Sequence, residues 1–361
     1  MATTTATTTS SRNTTNWAAR RRWRKFTAAS SVTFVGLIIL TAFLMPLGYM
    51  TVTAFKDLQQ IQDPNAPVLP SRPITYNYQG EDYPLMEVPV DGVMKEWALV
   101  EKGREASKFI DPQNPSVGLI DWTGRWRTLS PVYRFAPFTG NFAAANEAVN
   151  VFRLMRNSFI IAILGTIGTV FASTFVAYGF ARFRIPGKNI LFMVLMATII
   201  LPGQVTLIPT YVFFRSIGWG GTWWPLIVPH FFSNAYNVFL LRQYFMSIPK
   251  DLDEAAWMDG ASPFRTLVSV IIPQSWPALT AVAMFHFFFA WNDFFGPLVY
   301  LAGHEELYPI AVGLTQFTNA FGSQPGQLMA ATIMAISLPV IIFFFAQRQF
   351  MQGIVITGVE K

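Results

Sequence analysis

A dense group of acidic side chains lies in the stretch DLDEAAWMDGASPF, residues 251–264. It carries four of the chain's 20 acids beside a pair of alanines, and apolar segments flank it on both sides. Asp251 suits a helix start, because acids in the first turn interact favourably with the helix macrodipole. Gly260 suits the end of that helix, and Ser262 followed by Pro263 is typical of the start of another. We therefore predict a short helix, a sharp turn and a second helix.

The first of these helices has two chemical interpretations. Leu252, Ala255 and Ala256 recur at helical spacing and leave a shallow face that another backbone could approach closely. Glu254 beside them could pair with an Arg or Lys of a partner protein. Alternatively, the helix is solvated at a membrane surface and its acids only stabilise its first turn. The residues alone leave both interpretations open.

Several classes of site are excluded by residue type. The chain has no cysteine, and its three histidines, at positions 230, 286 and 304, are too scattered to predict a metal centre. The sequence contains no GxxxxGK[ST] phosphate-binding loop. We expect no catalytic residue, no metal and no cofactor bound by this chain. We expect His230 and His286 to be packing residues; a proton relay is the alternative and would favour an ion-driven carrier.

Long apolar windows must position these residues. The chain is 52% hydrophobic and 13% charged, and six windows of 25 to 41 residues contain no Asp, Glu, Lys or Arg. A helix needs about 20 apolar residues to cross a hydrocarbon core of about 30 Å. We therefore predict an all-α polytopic membrane protein with six transmembrane helices. Runs such as ITYNY and LMEVPV predict a small extracytoplasmic insertion that contains strands, over about residues 70–112, between the first two helices.

Glycine and proline shorten the apolar windows to the predicted spans. The fourth span is predicted at residues 223–241, the fifth at 275–292, and the sixth from about residue 327. The predicted organisation is a cytoplasmic basic segment at 1–30, a first transmembrane helix at 31–55, an extracytoplasmic loop with the insertion at 56–156, a five-helix core at 157–347 that includes a cytoplasmic loop at 242–273, and a cytoplasmic tail at 348–361.

The orientation follows from Lys and Arg in the short loops. If the N-terminal segment lies in the cytoplasm, so do the loops at 182–188 and 242–265 and the C-terminal tail. These four segments hold fourteen basic residues, whereas the two short outer loops hold one, Arg215. Both termini are therefore predicted to be cytoplasmic, and the net charge of +6 reflects membrane topology rather than nucleic-acid binding. A cleaved signal peptide is the alternative for the first apolar run. Its core would be only about 7 to 15 residues long, whereas the first window has 30 residues.

The run EAAWMDGASPFRTLVSVIIP, residues 254–273, resembles the cytoplasmic EAA loop of membrane subunits in binding-protein-dependent ABC importers. The positions that match that motif are Glu254, Ala255, Ala256, Gly260, Ile272 and Pro273. Four further runs, LPGQVTLIPTYVFF, VFLLRQYFMSIPKDLDEAA, FAWNDFFGPLVYL and QRQFMQGI, resemble the shorter permease subunit of the maltose-type, sugar-transporting branch. The similarity covers about residues 136–361 and the first span, and the insertion departs from the family's short loop.

The resemblance implies a permease subunit of an ATP-driven carbohydrate importer in the inner membrane of a bacterium. Its partners would be a second permease subunit, two copies of a cytoplasmic ATPase that bind ATP-Mg, an extracytoplasmic sugar-binding protein and the lipid bilayer. The outer loop at 293–326 resembles the segment that contacts the binding protein. The resemblance assigns ATPase coupling to Glu254, Ala255, Ala256, Asp259 and Gly260, with Glu254 paired to a base of the ATPase.

Amide side chains are the candidates for the substrate path, namely Gln204, Asn234, Asn237 and Asn292. Amides can donate hydrogen bonds to sugar hydroxyls in a watery path, and they can equally join helices to one another. An ion-coupled secondary transporter is the alternative to the importer. Such a carrier usually keeps charged side chains within its spans, and the six windows contain no Asp, Glu, Lys or Arg.

Overall fold

The computed structural model describes residues 12–90, 92–319 and 324–355, so the extreme ends of the predicted N-terminal segment and tail lie outside the described residues. Within them the chain is mostly helical. The α-helices are α1 (Arg12–Ala54), α2 (Leu58–Gln62), α3 (Gly140–Val149), α4 (Val151–Arg182), α5 (Lys188–Ala197), α6 (Gly203–Ser216), α7 (Trp224–Ile227), α8 (Ala235–Ser247), α9 (Asp251–Met258), α10 (Pro263–Thr266), α11 (Ile272–Gln274), α12 (Trp276–Trp291), α13 (Phe295–Tyr300), α14 (Ile310–Gly313), α15 (Gln316–Asn319) and α16 (Pro325–Val355).

An antiparallel insertion separates α2 from α3. Its strands are β1 (Ser71–Pro73), β2 (Thr75–Tyr78), β3 (Glu81–Val90), β4 (Val93–Glu101), β5 (Ala106–Ile110), β6 (Ile120–Thr123) and β7 (Tyr133–Phe135). Strands β2 to β6 form one sheet in chain order, and β1 pairs with β7 in a second. Met86, Trp97 and Phe109 pack in the core of the insertion. The predicted strand-containing insertion is confirmed, and it extends to residue 135 because β1 pairs with β7, the last strand.

The base of the insertion is fixed to the helical part. The side-chain amide of Asn141, on α3, donates hydrogen bonds to the carbonyl oxygens of Ala54 and Lys56, both at 2.8 Å. The backbone N–H of Phe138 donates to the carbonyl oxygen of Phe55 at 2.8 Å. The chain therefore enters and leaves the insertion at one place, next to the end of α1.

Helix α4 is the centre of the helical part. Its first half contributes Leu154 and Ala162 to a buried cluster with Phe287 of α12 and Ala331 of α16. Its second half contributes Ala177 and Tyr178 to another cluster, which also contains Val238, Leu241, Phe245, Leu267, Ile271 and Leu279. Because these clusters join α4 to α8, α12 and α16, α4 is packed along its length.

Several helices expose large apolar side chains, as expected where lipid or another subunit replaces water. Helices α5 and α6 bury no residue in this chain, and the apolar window of α1 is unburied. In the described part, three helices are each long and apolar enough to cross a membrane, and two bent pairs raise the number to five. One pair bends by 96° between α5 and α6, and the other by 82° between α11 and α12. The count of six spans stays a prediction.

The predicted fourth span is also interrupted. Residues 223–241 form α7, a 3₁₀ segment at Val228–Phe232 and the first half of α8. Ser233 has a φ of +68°, in the left-handed region, and separates the two parts. The fifth predicted span agrees with α12 within one residue at each end, and α16 begins two residues before the predicted start of the sixth.

Candidate functional site

Helix α9 forms as its capping residues predict. It begins at Asp251, and its first turn contains Asp251, Asp253 and Glu254. At its end Gly260 has a φ of +77°, and its N–H donates to the carbonyl of Trp257 at 2.9 Å. The N–H of Ala261 donates to the carbonyl of Ala256 at 2.9 Å. These two bonds form a Schellman motif, in which glycine accommodates the left-handed conformation.

One face of α9 lies open. Glu254, Ala255, Asp259 and Gly260 are exposed, and Ala256 is half-buried. The exposed fraction is 88% for Met258 and 49% for Trp257. The five predicted coupling residues therefore lie on one short helix and its cap, beside exposed apolar side chains that a partner could cover.

The second predicted helix start is also present. The hydroxyl of Ser262 accepts a hydrogen bond from the N–H of Arg265 at 3.3 Å, and Pro263 is the first residue of α10. The chain continues through a π-helical segment at Leu267–Ile271 into α11. The turn at Gly260 thus connects α9 to a helical path that leads to α12.

A buried ion pair holds the first turn of α9. Arg182 Nε lies 2.7 Å from Asp253 Oδ2, and the exposed fractions of the two side chains are 3% and 4%. Arg182 Nη2 also donates to the carbonyl of Ile248 at 2.9 Å. Burial raises the pKa of the Asp253 carboxyl, and the Arg182 guanidinium opposes that rise. Asp253 is therefore a buried, paired acid, although its position in a first turn predicts only a favourable interaction with the helix dipole.

The four amides of the predicted substrate path lie in different surroundings. Asn234 is exposed and caps α8, because its Oδ1 accepts a hydrogen bond from the N–H of Asn237 at 3.0 Å. Asn237 is buried, and its own Oδ1 has no hydrogen-bond partner. Asn292 is exposed at the end of α12 and donates to the carbonyl of Phe288 at 2.8 Å, and Gln204 is exposed on α6. Among the described residues, Gln204 and Asn292 share no hydrogen bond with Asn234 or Asn237.

Two of the three histidines lie side by side. The ring centroids of His230 and His286 are 4.4 Å apart, and His286 Nδ1 lies 3.2 Å from Thr169 Oγ1. A Cβ on Gly165 would lie 3.1 Å from each ring, so the absence of a side chain there admits both. In the described part of the chain, no group of three or more His, Cys, Asp or Glu side chains could hold a metal ion.

Comparison with known proteins identifies the helical part. Residues 169–355 match the family described as "Binding-protein-dependent transport system inner membrane component". The chain belongs to this family. The match includes α9, its cap and α10 to α12, and it begins after the strand-containing insertion. The predicted resemblance to ABC importer permeases is thereby confirmed.

Individual relatives agree with the family. The "Osmoprotective compounds uptake permease protein GgtD" of Synechocystis is 31% identical over 266 residues, which cover 73% of this chain and 88% of the relative. The "Alpha-glucoside transport system permease protein AglG" of Rhizobium meliloti is 31% identical over 233 residues, which cover 61% of this chain and 60% of the relative. The fold is similar to a chain in the crystal structure of a bacterial ABC transporter that imports alginate, with a TM-score of 0.61, 20% identity, and coverage of 91% and 98% of the two chains.

As an ABC importer permease, the chain is an inner-membrane protein and not an enzyme, and ATP hydrolysis belongs to a separate subunit. The EAA-like run, residues 254–273, therefore begins on a helix with an exposed face, and Asp253, one position before it, is buried against Arg182. Sequence reasoning did not identify Arg182 as part of this site. The only sequence signal at position 182 is a basic residue at the end of an apolar window, and the positive-inside rule explains such a residue equally well.

Proposed function

We propose that this permease forms the translocation path of an ATP-driven carbohydrate importer. It would work with a second permease subunit, two copies of a cytoplasmic ATPase that bind ATP-Mg, and an extracytoplasmic sugar-binding protein. The family supports the importer class, and relatives named for α-glucosides and arabinooligosaccharides support a sugar as cargo.

The exposed face of α9 is the observation that carries this proposal. Glu254 presents a carboxylate that could bind a base of the ATPase, and Ala255 lets a partner backbone approach closely. Met258 and Trp257 add apolar surface that a partner would cover. In the proposed cycle, ATP binding closes the ATPase dimer, the docked α9 moves with it, and the permease switches from inward-facing to outward-facing.

The first experiment tests the partners. The tagged chain is purified from native membranes in mild detergent, the copurifying proteins are identified by mass spectrometry, and ATP hydrolysis is measured in the eluate. We expect an ATPase and a second permease chain. A chain that purifies alone in several detergents, without ATP hydrolysis, would refute the importer.

A charge reversal then tests the docking face. In proteoliposomes, Glu254→Lys is expected to abolish uptake while the ATPase subunits still hydrolyse ATP, because a lysine would face the base of the partner. Asp251→Lys is the matched control, since Asp251 is exposed on the same helix and lies outside the assigned coupling residues. Normal uptake by Glu254→Lys would contradict the role of this face.

The topology can be tested on the same chain because it contains no cysteine. We propose six spans with both termini in the cytoplasm. Single substitutions Lys188→Cys, Arg215→Cys and Asp251→Cys provide one reporter in each of three loops. A membrane-impermeant maleimide added outside is expected to label only Arg215→Cys. Labelling of Asp251→Cys from outside would show that the interrupted fourth segment does not cross.

We also propose that Gln204, Asn234, Asn237 and Asn292 line the substrate path. The buried, unpaired Oδ1 of Asn237 supports a role beyond joining helices, because a buried polar atom without a partner is unfavourable. Asn237→Ala is expected to raise KM for the sugar without lowering the thermal stability of the complex. A lower melting temperature with an unchanged KM would instead assign Asn237 to helix packing.

A further inference from the structure

The last two turns of α4 contact the EAA loop before, within and after α9. Arg182 binds the carbonyl of Ile248, which precedes α9, and pairs with Asp253 in its first turn. One turn earlier, the hydroxyl of Tyr178 donates to the carbonyl of Pro263 at 3.2 Å, after α9. We call the Arg182–Asp253 pair the α9 anchor.

The other end of α4 holds a second loop in the same manner. The side-chain amide of Asn157 donates to the carbonyl oxygens of Glu306 and Tyr308 at 2.9 and 3.0 Å. The hydroxyl of Ser158 accepts a hydrogen bond from the N–H of Ile310 at 2.7 Å. Both side chains are fully buried. We call Asn157 and Ser158 the 306–310 anchor; it binds a segment of the loop predicted to face the extracytoplasmic binding protein.

The two anchors lie on one continuous helix. Between Ser158 and Arg182 there are 24 helical steps, which correspond to about 36 Å at 1.5 Å per residue. No proline interrupts this stretch. The buried clusters described above support both halves of it against α8, α12 and α16.

We infer that α4 is a strut that transmits movement between α9 and the 306–310 segment, with Arg182, Asp253, Asn157 and Ser158 as its positioning residues. This inference rests on the proposed function, in which α9 moves with the ATPase. If α9 moved without α4, the buried charge of Arg182 would lose its partner, which is strongly unfavourable. If the 306–310 segment moved without α4, a buried amide would lose its partners at the other end. Each segment therefore moves together with the strut.

The test measures the response of one end to a ligand at the other. The cysteine-free chain receives a single reporter, Glu305→Cys, at an exposed position beside the 306–310 anchor. In the complex with its ATPase and second permease, in nanodiscs, the rate of maleimide labelling is measured before and after trapping with Mg-ATP and vanadate. We expect trapping to change the labelling rate of the intact strut.

Three variants interrupt the strut: Asp253→Asn at the α9 anchor, and Asn157→Ala and Ser158→Ala at the other end. Each is expected to reduce the ATP-dependent change in labelling by about fivefold or more, the lower end of the range for coupling between sites. The double variant Asn157→Ala/Asp253→Asn is expected to show the same ATP-dependent change in labelling as whichever single variant shows the smaller change, because both substitutions interrupt the same connection. Asp251→Asn, on the exposed side of α9, is the matched control and should leave the response unchanged.

Each outcome decides between the proposals. If trapping changes labelling equally in the intact chain and in Ser158→Ala, the strut is refuted. It is also refuted if the reduction of the labelling response in the double variant is the product of the reductions in the two single variants. If Asp253→Asn weakens assembly, Ser158→Ala at the distant end decides the question. An ATPase that copurifies but leaves the reporter unchanged on trapping would refute the strut and retain the importer. A chain that binds no ATPase would refute both.

Discussion

The glycine that ends α9 allows a quantitative test of the docking helix. Gly260 has a φ of +77°, and a Cβ built there meets no atom within 4 Å. A substitution to alanine therefore adds only backbone strain, about 1–2 kcal/mol for an L-residue in the left-handed region. This corresponds to about a 5- to 30-fold shift in the equilibrium between capped and frayed α9.

A graded series separates the backbone effect from the effect of an added side chain. Asparagine tolerates the left-handed region better than alanine, so Gly260→Asn should perturb α9 less than Gly260→Ala. Gly260→Pro should perturb it most. Proline fixes φ near −65° and removes the N–H that donates to the carbonyl of Trp257.

Two measurements follow the series. Hydrogen exchange of the amides at the end of α9 should accelerate in the order Asn, Ala, Pro, and sugar uptake per ATP hydrolysed should fall in the same order. Gly187→Ala is the matched control, because Gly187 has a φ of +71° and also has no atom within 4 Å of a built Cβ. Equal loss of coupling in Gly187→Ala and Gly260→Ala, or normal uptake by Gly260→Pro, would refute the reasoning.

Three further predictions concern stability, measured as thermal unfolding in detergent. Arg182→Ala or Asp253→Ala alone should each lower the free energy of unfolding by about 3–5 kcal/mol, because the remaining charge is buried without a partner. Replacing the pair by Met and Leu should lower it less, and equal losses for the single and double changes would contradict this reasoning. Gly313→Ala should cost about 1–3 kcal/mol, because a Cβ there overlaps Leu154 in the core; an unchanged melting temperature would show that the core adjusts freely. Tyr178→Phe should cost about 0.5–1.5 kcal/mol through one lost hydrogen bond, and a larger loss would point to a packing defect.

Features set by neighbouring residues could be predicted from the sequence. Asp251 marks the start of α9, Gly260 its end, and Ser262 the next start, because each conformation depends on capping groups within a few positions. The family motif located the same helix independently. The limits of α12 were predicted within one residue because Trp276 and Asn292 lie close to the prolines and polar residues that bound its window.

Features that depend on distant parts of the chain could not be predicted. The burial of Asp253 depends on Arg182, which lies on another helix more than 70 positions earlier in the chain. The full extent of the insertion depends on the pairing of β1 with β7 across about 60 intervening residues. The interruption at Ser233 was missed because hydropathy records the apolar content of a window and not its backbone conformation.

The pairing of β1 with β7 also bears on how such a chain can change over evolution. Ser71 lies opposite Phe135 and Pro73 lies opposite Tyr133, so the entry and exit of the insertion are about 5 Å apart. A polypeptide module with adjacent ends can be acquired, exchanged or lost without altering the spacing of the helices that flank it. The family match begins at residue 169, within α4, and so lies entirely after the insertion. A short linker between residues 71 and 135 is therefore expected to leave the flanking helices at their present spacing, because it would join two positions that already lie side by side.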